Sequence, residues 1–266
     1  MAASIVLGLI IGVVMRLTGA GGGILAVPLL TFGMDMTVSE AGPIGLLAVG
    51  MAAALGAGLG LKGRIVRYRA AILIGAAGML SAPVGVWLAH RLDTRVLNVL
   101  FAAVLLLVAY RSYRHASPEF EFRDSLHQTM PCIRNDKSGR LVWTAQCAKA
   151  LLLSGVFAGI LSGLLGVGGG FVMVPALQRY TNLDMQSTVA TSLTVTAIVS
   201  LLGVAMNVSS GHFNTFIGTA FSVGSLAGMV IGILFSARLR AAALKRAFAF
   251  ICAIVAVGMI AKVALF

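Results

Sequence analysis

Long apolar stretches separated by short polar groups run through the whole chain. Five of these stretches carry almost no charge and are long enough to cross a hydrocarbon core of about 30 Å as a helix. They cover residues 41–61, 70–89, 189–206, 213–237 and 247–266. Two shorter runs, 96–110 and 150–165, predict further spans. The pattern therefore predicts an all-α integral membrane protein that crosses the bilayer several times.

Two segments interrupt this pattern with glycine at places where a membrane helix is expected. Residues 18–30 read TGAGGGILAVPLL, and residues 166–177 read GVGGGFVMVPAL. When the sequence is shifted by 147 positions, 7 of the 12 residues at 19–30 are identical to those at 166–177. The same shift matches several positions of 85–102 with 232–249. Because the register holds over this distance, the chain is predicted to be an internal duplication.

The duplication divides the chain into three parts. An N-terminal transmembrane repeat covers residues 1–110, a polar linker loop covers 111–146, and a C-terminal transmembrane repeat covers 147–266. Each repeat is expected to contain a glycine-broken segment followed by three transmembrane helices. The linker combines charged residues with proline, asparagine and glycine, which predicts a surface loop.

The positions of lysine and arginine distinguish two arrangements of the glycine-broken segments. If each segment crosses the membrane once, the repeats are parallel; if each turns back as a hairpin, the repeats are inverted. Of the 20 Lys and Arg residues, the hairpin arrangement puts 16 on one side and 3 on the other, with Arg16 counted on neither, whereas single crossings give 12 and 7. Since positive residues concentrate in cytoplasmic loops, the count favours two inverted-topology repeats, a cytoplasmic linker and two outside termini.

The composition agrees with a membrane protein. Hydrophobic residues make up 59% of the chain, charged residues make up 11%, and the mean hydropathy is +1.00. The formal net charge of +12 is explained by the cytoplasmic loops. We therefore expect no nucleic-acid partner.

The glycine-broken segments are the candidate binding site. Irregular backbone at membrane depth is tolerated only against protein or a watery cavity, and two such segments at matching places predict a shared central site. Freed amides beside a helix N-terminus suit an anion. The candidate substrate-binding glycines are Gly19, Gly21, Gly22, Gly23, Gly166, Gly168, Gly169 and Gly170. Pro28 and Pro175 are candidate structural hinges, and because each lacks an N–H they predict short or bent returning helices.

Three further residues are candidate anion ligands. Arg16, close to the first glycine segment, supplies a permanent positive charge if it faces the site; in the alternative interpretation its charge reaches the cytoplasmic surface. Thr191 and Ser192 begin the span after the second glycine segment and are favoured over other hydroxyls such as Thr196. Helical serine and threonine can also bond to the preceding turn of their own helix.

Several kinds of chemistry are not expected. All 8 acidic residues lie in loops or at span ends, so no carboxylate relay for protons is expected within the membrane. Cys132, Cys147 and Cys252 have no metal-ligand spacing, and with one in a loop and two in apolar segments they predict no disulfide framework. GAGGGI resembles a dinucleotide-binding loop, but an apolar membrane segment precedes it and no acidic residue follows at the required spacing. We expect no enzyme, cofactor or metal.

The paired pattern, GAGGGILAVPLL and then GVGGGFVMVPAL after a polar central loop, resembles the TauE/SafE family of membrane permeases, often called sulfite exporters. The resemblance covers nearly the whole chain outside the linker. It implies transport of sulfite or of small organosulfonates such as sulfoacetate across the bacterial inner membrane. Members of the family are also linked to other sulfur-containing and carboxylate anions.

The expected function is therefore a secondary transporter that moves a small sulfur-containing oxyanion by alternating access. The resemblance implies an exporter, whereas the residues themselves leave export or uptake open. Two alternatives stay open: an anion channel, and a membrane-embedded assembly or sensor subunit. The expected partners are the anion and the lipid bilayer. The sequence leaves open whether a proton or another ion is coupled to transport, and it leaves the oligomeric state open.

Overall fold

The structure, a computed structural model, describes residues 2–114, 132, 144–209, 215–235 and 241–265. The regular structure in these ranges is helical, as the apolar pattern predicts. The helices are α1 Ala2–Thr18, a 3-10 helix Ala20–Leu25, α2 Ala26–Gly33, α3 Val38–Lys62, α4 Tyr68–Arg91, α5 Thr94–Arg114, α6 Ala145–Leu165, α7 Gly170–Tyr180, α8 Met185–Ser209, α9 Thr215–Phe235 and α10 Ala241–Leu265.

Six of the described helices are long and apolar enough to cross a membrane. They are α3, α4, α5, α6, α8 and α9. Large apolar side chains such as Leu80, Leu153 and Leu234 are exposed on the helix bundle. A soluble protein would cover such side chains, whereas lipid accommodates them. The prediction of an all-α, multi-pass membrane protein is confirmed.

The first glycine-broken segment folds as a helical hairpin. Helix α2 runs back along α1, since Ser4 Oγ donates a hydrogen bond to Met34 Sδ at 3.3 Å. A Cβ at Gly33 would lie 2.7 Å from Cδ1 of Leu7. The tip of the hairpin is therefore at the glycines that follow α1.

The second glycine-broken segment also turns back. Gly169, just before α7, contacts Ala158 of α6, and a Cβ at Gly169 would lie 2.9 Å from the Ala158 carbonyl oxygen. Leu151 of α6 and Met173 and Leu177 of α7 belong to one buried cluster. Helix α7 thus returns beside the earlier part of α6.

Helix α1 packs in close backbone contact with α9 of the other half. A Cβ at Gly8 would collide with the carbonyl oxygen of Phe221, and one at Gly12 would collide with that of Ser225. Small residues of this kind let helix backbones approach closely in membrane proteins. Residue numbers rise together along the contact, so the two helices are parallel.

The contact between α6 and α4 repeats this arrangement. Gly155 approaches the backbone of Ile74, and Gly159 approaches the backbone of Gly78. All four positions differ by 147 from those of the contact between α1 and α9. The internal duplication is therefore visible in the packing as well as in the sequence.

Helices α3 and α8, which correspond in the two halves, pack against each other in the interior. A Cβ at Gly50 would lie 2.8 Å from Cβ of Ser200, and one at Gly60 would lie 3.0 Å from Cβ of Ala190. Residue numbers rise along α3 as they fall along α8, so these helices are antiparallel. The antiparallel contact is what inverted repeats require; inversion across a membrane itself stays a prediction.

The linker differs from the sequence-based expectation in two respects. Helix α5 continues to Arg114 and α6 begins at Ala145, where Thr144 Oγ1 accepts a hydrogen bond from the Cys147 N–H at 3.1 Å and caps the helix. The expectation of no disulfide is wrong, because Cys132 and Cys147 are bonded, with Cα atoms 4.9 Å apart. Both cysteines are buried, and the Cys132 N–H donates to the Tyr180 carbonyl at 3.1 Å. Residues 115–131 and 133–143 of the predicted loop lie outside the described residues.

Candidate functional site

The first glycine segment forms a 3-10 helix. Gly19 precedes it with φ +68°, and a Cβ there would lie 2.7 Å from Cγ2 of Val189 on α8. A Cβ at Gly22 would lie 2.6 Å from Cα of Met15, so the 3-10 helix lies directly on α1. The other candidate glycines of this segment, Gly21 and Gly23, lie in the same 3-10 helix.

The second glycine segment has a different backbone. Gly166 ends α6 in the left-handed conformation, with its N–H bonded to the Ser162 carbonyl at 2.9 Å. Gly168 and Gly169 also have positive φ values, +78° and +68°, and Gly170 begins α7. Successive turns of this kind point backbone N–H groups to one side and form anion-binding concavities. The sequence predicts the same arrangement in both halves, but in the described structure only the second segment has consecutive left-handed glycines.

The prolines lie in the short returning helices. Pro28 is in the first turn of α2, which has 8 residues, and its missing N–H is one that such a turn leaves free. Pro175 is inside α7, which has 11 residues. Both returning helices are short, as the prolines predict.

The tips of the two hairpins contact opposite ends of the central helix pair. Gly19 contacts Val189, four residues after the start of α8, and Gly166 contacts Gly42, four residues after the start of α3. Because α3 and α8 are antiparallel, these starts are at opposite ends of the pair. Gly19 and Gly166 are therefore not brought together.

Other glycines of the two segments do meet, in the middle of α3. A Cβ at Gly23 would lie 3.0 Å from Cγ1 of Val49 and 3.2 Å from the Val167 carbonyl oxygen. A Cβ at Gly168 would lie 3.2 Å from Cγ1 of the same valine. Val49 is near the midpoint of α3, so the two hairpins converge halfway along a membrane-spanning helix. We call this place, bordered by Gly23, Val49 and Gly168, the central position.

Thr191 and Ser192 are both buried, but their hydroxyls have partners within the protein. Thr191 Oγ1 accepts a hydrogen bond from the Arg67 backbone N–H at 3.1 Å. Ser192 Oγ donates to the Val189 carbonyl at 2.9 Å, in the preceding turn of its own helix. Their role as substrate ligands stays a prediction, and the structure gives both residues a packing function.

Two other hydroxyls of α8 lie closer to the central position. Ser200 Oγ lies 2.8 Å from the Cβ position of Gly168, and Cγ2 of Thr196 lies 3.1 Å from it. Both residues are fully buried, and neither hydroxyl has a hydrogen-bond partner among the described residues. An unsatisfied buried hydroxyl costs about 1–3 kcal/mol. The sequence favours Thr191 over Thr196 and does not single out Ser200. The one signal that the sequence offers is that Thr196 and Ser200 are one helical turn apart and so share a helix face.

Arg16 lies near the end of α9 rather than at the central position. Gly232 makes room for it, since a Cβ at Gly232 would lie 2.8 Å from Cβ of Arg16. The arginine is half-buried, and its Nε is buried without a hydrogen-bond partner among the described residues. Gly232 is three residues before the end of α9. This placement agrees with either interpretation of Arg16, as an anion ligand at an entrance or as an arginine whose charge reaches the surface.

A small pocket opens beside the tip of the second hairpin. Its volume is about 50 Å³, and its lining includes Gly42, Pro43, His90, Leu97 and Gly166. His90 Nδ1 lies 2.8 Å from the Val86 carbonyl oxygen. The pocket is at the end of the bundle that holds the start of α3 and the end of α4. Sequence reasoning did not select His90, which has no pattern that separates it from a surface histidine.

The polar residues that are buried as a whole in the described structure are all serine or threonine. They are Ser4, Thr31, Ser81, Ser162, Thr181, Ser187, Thr188, Thr191, Ser192, Thr196, Ser200, Ser222 and Ser225. Neutral hydroxyls and backbone amides are suited to holding an anion that has left water. A multi-pass helical bundle with two glycine-broken hairpins that converge at mid-membrane depth is the architecture of a membrane transporter.

Comparison with known proteins agrees with this class. The family described as Sulfite exporter TauE/SafE matches residues 4–259, nearly the whole chain. The chain belongs to this family. It is a membrane transporter, and the family consists of transporters rather than enzymes.

The similar proteins are also named as transporters. A "probable membrane transporter protein" of Xylella fastidiosa is 28% identical over 258 residues, covering 94% of this chain and 91% of the relative. One of Bacillus subtilis is 26% identical over 240 residues, covering 86% and 85%. One of Methanocaldococcus jannaschii is 29% identical over 206 residues, covering 75% and 69%. No solved structure gives a significant match.

Proposed function

We propose that this protein is a secondary transporter that exports a small sulfur-containing oxyanion, such as sulfite or an organosulfonate, across the bacterial inner membrane. The observation that carries the proposal is the convergence of the two glycine-broken hairpins on Val49, in the middle of α3. The family description, Sulfite exporter TauE/SafE, supports the substrate class and the direction.

The second hairpin offers the clearest set of groups for an anion. The left-handed glycines Gly168 and Gly169 lead directly into α7, whose first residue is Gly170. The first N–H groups of a helix lack the partner four residues earlier, and the helix dipole favours negative charge there. Of these groups in α7, the Val172 N–H donates to the Gly169 carbonyl at 3.1 Å. The same segment adjoins the hydroxyl-bearing face of α8. The anion in this proposal replaces water with these fixed donors.

The placement of the hairpin tips supports alternating access. One tip is at the start of α8 and the other is at the start of α3, at opposite ends of an antiparallel pair. Movement of one hairpin would open the central position toward one face of the bundle, and movement of the other would open it toward the opposite face. Inverted repeats produce this pair of equivalent movements without a separate gate.

The proposed orientation places the linker in the cytoplasm and both termini outside. It rests on the 16 Lys and Arg residues that the hairpin arrangement collects on one side. A cysteine introduced at position 3 or 264, in a background without the native cysteines, should react with a membrane-impermeant maleimide in intact cells. If both cysteines react only after the cells are opened, the orientation is the reverse of the proposed one. If only one of them does so, the proposed orientation is wrong.

Flux measurements on the purified protein in proteoliposomes test the function. We expect radiolabelled sulfite to accumulate by counterflow, saturably, and sulfoacetate and acetate to compete to different extents. Gly168→Ala should reduce flux, because the alanine would be strained at φ +78° and would contact Ser200. Gly58→Ala is the matched control, since a Cβ there meets no atom within 4 Å. Sulfite flux without saturation or counterflow would indicate a channel, and no flux of any tested anion would favour an assembly or sensor subunit.

A further inference from the structure

Helix α8 carries a row of hydroxyls, and three of the buried ones, those of Thr188, Thr196 and Ser200, have no hydrogen-bond partner among the described residues. Thr194 Oγ1 donates to the Ala190 carbonyl at 2.9 Å, as helical threonines usually do. Thr196 and Ser200 are fully buried, and their oxygens make no hydrogen bond within the described structure. Buried polar atoms in native proteins nearly always have a partner. These two hydroxyls are therefore available for a ligand.

Both residues border the left-handed turn of the second hairpin. Ser200 Oγ lies 2.8 Å, and Thr196 Cγ2 lies 3.1 Å, from the point where Gly168 would carry a Cβ. A side chain at Gly168 would be strained at φ +78° and would press against both residues. The equivalent residues of the first half, 147 positions earlier, are Val49 and Ala53. The donors of the central position are therefore supplied by the second half, while the first half presents an apolar surface.

No charged side chain is among the described residues that border the central position. Its bordering residues, Gly23, Val49, Gly168, Thr196 and Ser200, have no titratable side chain. The polar residues of the described helices that are buried as a whole are all serine or threonine. The cost of taking an ion out of water is large unless fixed charges or donors compensate for it. Hydroxyls and amides can compensate for one negative charge, whereas a second charge without a cation nearby is much more costly.

We propose that Thr196 and Ser200 hydrogen-bond the transported anion beside Gly168, and that this position accepts singly charged oxyanions, such as hydrogensulfite or an alkylsulfonate, and rejects dianions. The inference rests on the proposed function and names the ligands and the charge state of its substrate. Sulfite changes from the singly to the doubly charged ion near neutral pH. Each hydrogensulfite carries its own proton, so proton movement would accompany sulfite without an intramembrane carboxylate.

The charge preference is tested with wild-type protein in proteoliposomes, at equal internal and external pH, with labelled sulfite, methanesulfonate and sulfate. Sulfite flux should fall from slightly acidic to slightly alkaline pH in proportion to the hydrogensulfite fraction. Methanesulfonate is charged once throughout this range, so its constant flux would exclude titration of the protein as the cause. Sulfate transport as fast as that of methanesulfonate, or sulfite flux that rises with pH, would overturn the charge preference.

The two ligands are tested with Thr196→Val and Ser200→Ala. Each should raise KM for methanesulfonate roughly tenfold, the loss expected for one hydrogen bond to a charged group. Neither should lower the melting temperature, because each removes an unpaired hydroxyl. Thr194→Val is the control and should keep the wild-type KM. If the wild type transports methanesulfonate and both variants have the wild-type KM, the proposed ligands are wrong but the proposed transport function is not affected. If the wild type transports neither sulfite nor methanesulfonate, the proposed function and the proposed ligands are both wrong.

Discussion

Gly166 and Gly42 are in contact, and Gly166→Ala should destabilise the protein far more than Gly42→Ala. Gly166 has φ +68°, and an alanine in the left-handed region costs about 1–2 kcal/mol. Its Cβ would also collide with Cα of Gly42 and lie 3.0 Å from the Gly42 carbonyl carbon. These are backbone atoms that no rotamer change can move, and overpacking of this kind costs about 1–3 kcal/mol. The total is about 2–5 kcal/mol.

Gly42→Ala is the matched control for this change. From that side, a Cβ would lie 3.6 Å from Cα of Gly166, an ordinary contact. Gly42 is inside α3, where alanine is favoured over glycine by about 0.5–1 kcal/mol. The control should therefore melt at the wild-type temperature or slightly above it.

Thermal unfolding of the purified proteins in one detergent measures both effects. At about 2–4 °C per kcal/mol for a chain of this size, Gly166→Ala should melt between about 4 and 20 °C below the wild type. Proteoliposome flux should fall with it, because the hairpin tip must shift away from α3. Equal melting temperatures for the two variants would refute the left-handed tip and its backbone contact with α3.

Three further outcomes are expected. Gly12→Ala should lower the melting temperature, because its Cβ would lie 2.6 Å from a backbone nitrogen of α9, whereas Gly58→Ala should not. Arg16→Gln should raise KM for sulfite, and Arg16→Lys should keep the wild-type KM. If the wild type and both variants have the same KM, Arg16 is a packing residue. Since disulfides are rare in reducing compartments, Cys132 and Cys147 should be thiols in growing cells and a disulfide in protein purified in air, as mass-tag alkylation reports. A disulfide in growing cells would place the linker outside and reverse the proposed orientation.

The limits of sequence reasoning are clearest on α8. Thr191, Ser192, Thr196 and Ser200 all carry hydroxyls in one apolar helix, and their spacing does not show which of them have hydrogen-bond partners. Their hydrogen-bond partners distinguish them, since Thr191 accepts a hydrogen bond from Arg67, which is 124 residues away. Only a folded chain brings that backbone N–H to the helix. Of these four hydroxyls, those of Thr196 and Ser200 have no hydrogen-bond partner among the described residues, and both residues lie beside the glycine turn.

The glycine segments show the same limit in the backbone. GAGGG and GVGGG are nearly identical, yet one forms a 3-10 helix and the other a left-handed turn. Glycine permits both conformations at little cost, so the surroundings select between them. Gly19 contacts the side chain of Val189, whereas Gly166 contacts the bare backbone of Gly42. The disulfide between Cys132 and Cys147 likewise depends on where Cys132 lies relative to α6, which a spacing of 15 residues does not specify.

The sequence by itself predicted the membrane class, the duplication and six of the seven spans; the part of the seventh whose side chains the structure describes, 246–261, is shorter than a spanning helix needs. Lipid requires long apolar segments whose backbone groups bond within one helix. Because this requirement concerns residues that are consecutive in the chain, it can be recognised in the sequence. The 147-residue shift also predicted which positions are equivalent, and the helix contacts repeat at that shift. Only the tertiary structure decided which glycines meet at Val49, which hydroxyls lack partners and where Arg16 lies. Those properties belong to contacts between residues far apart in the chain, and such contacts form only when the helices pack.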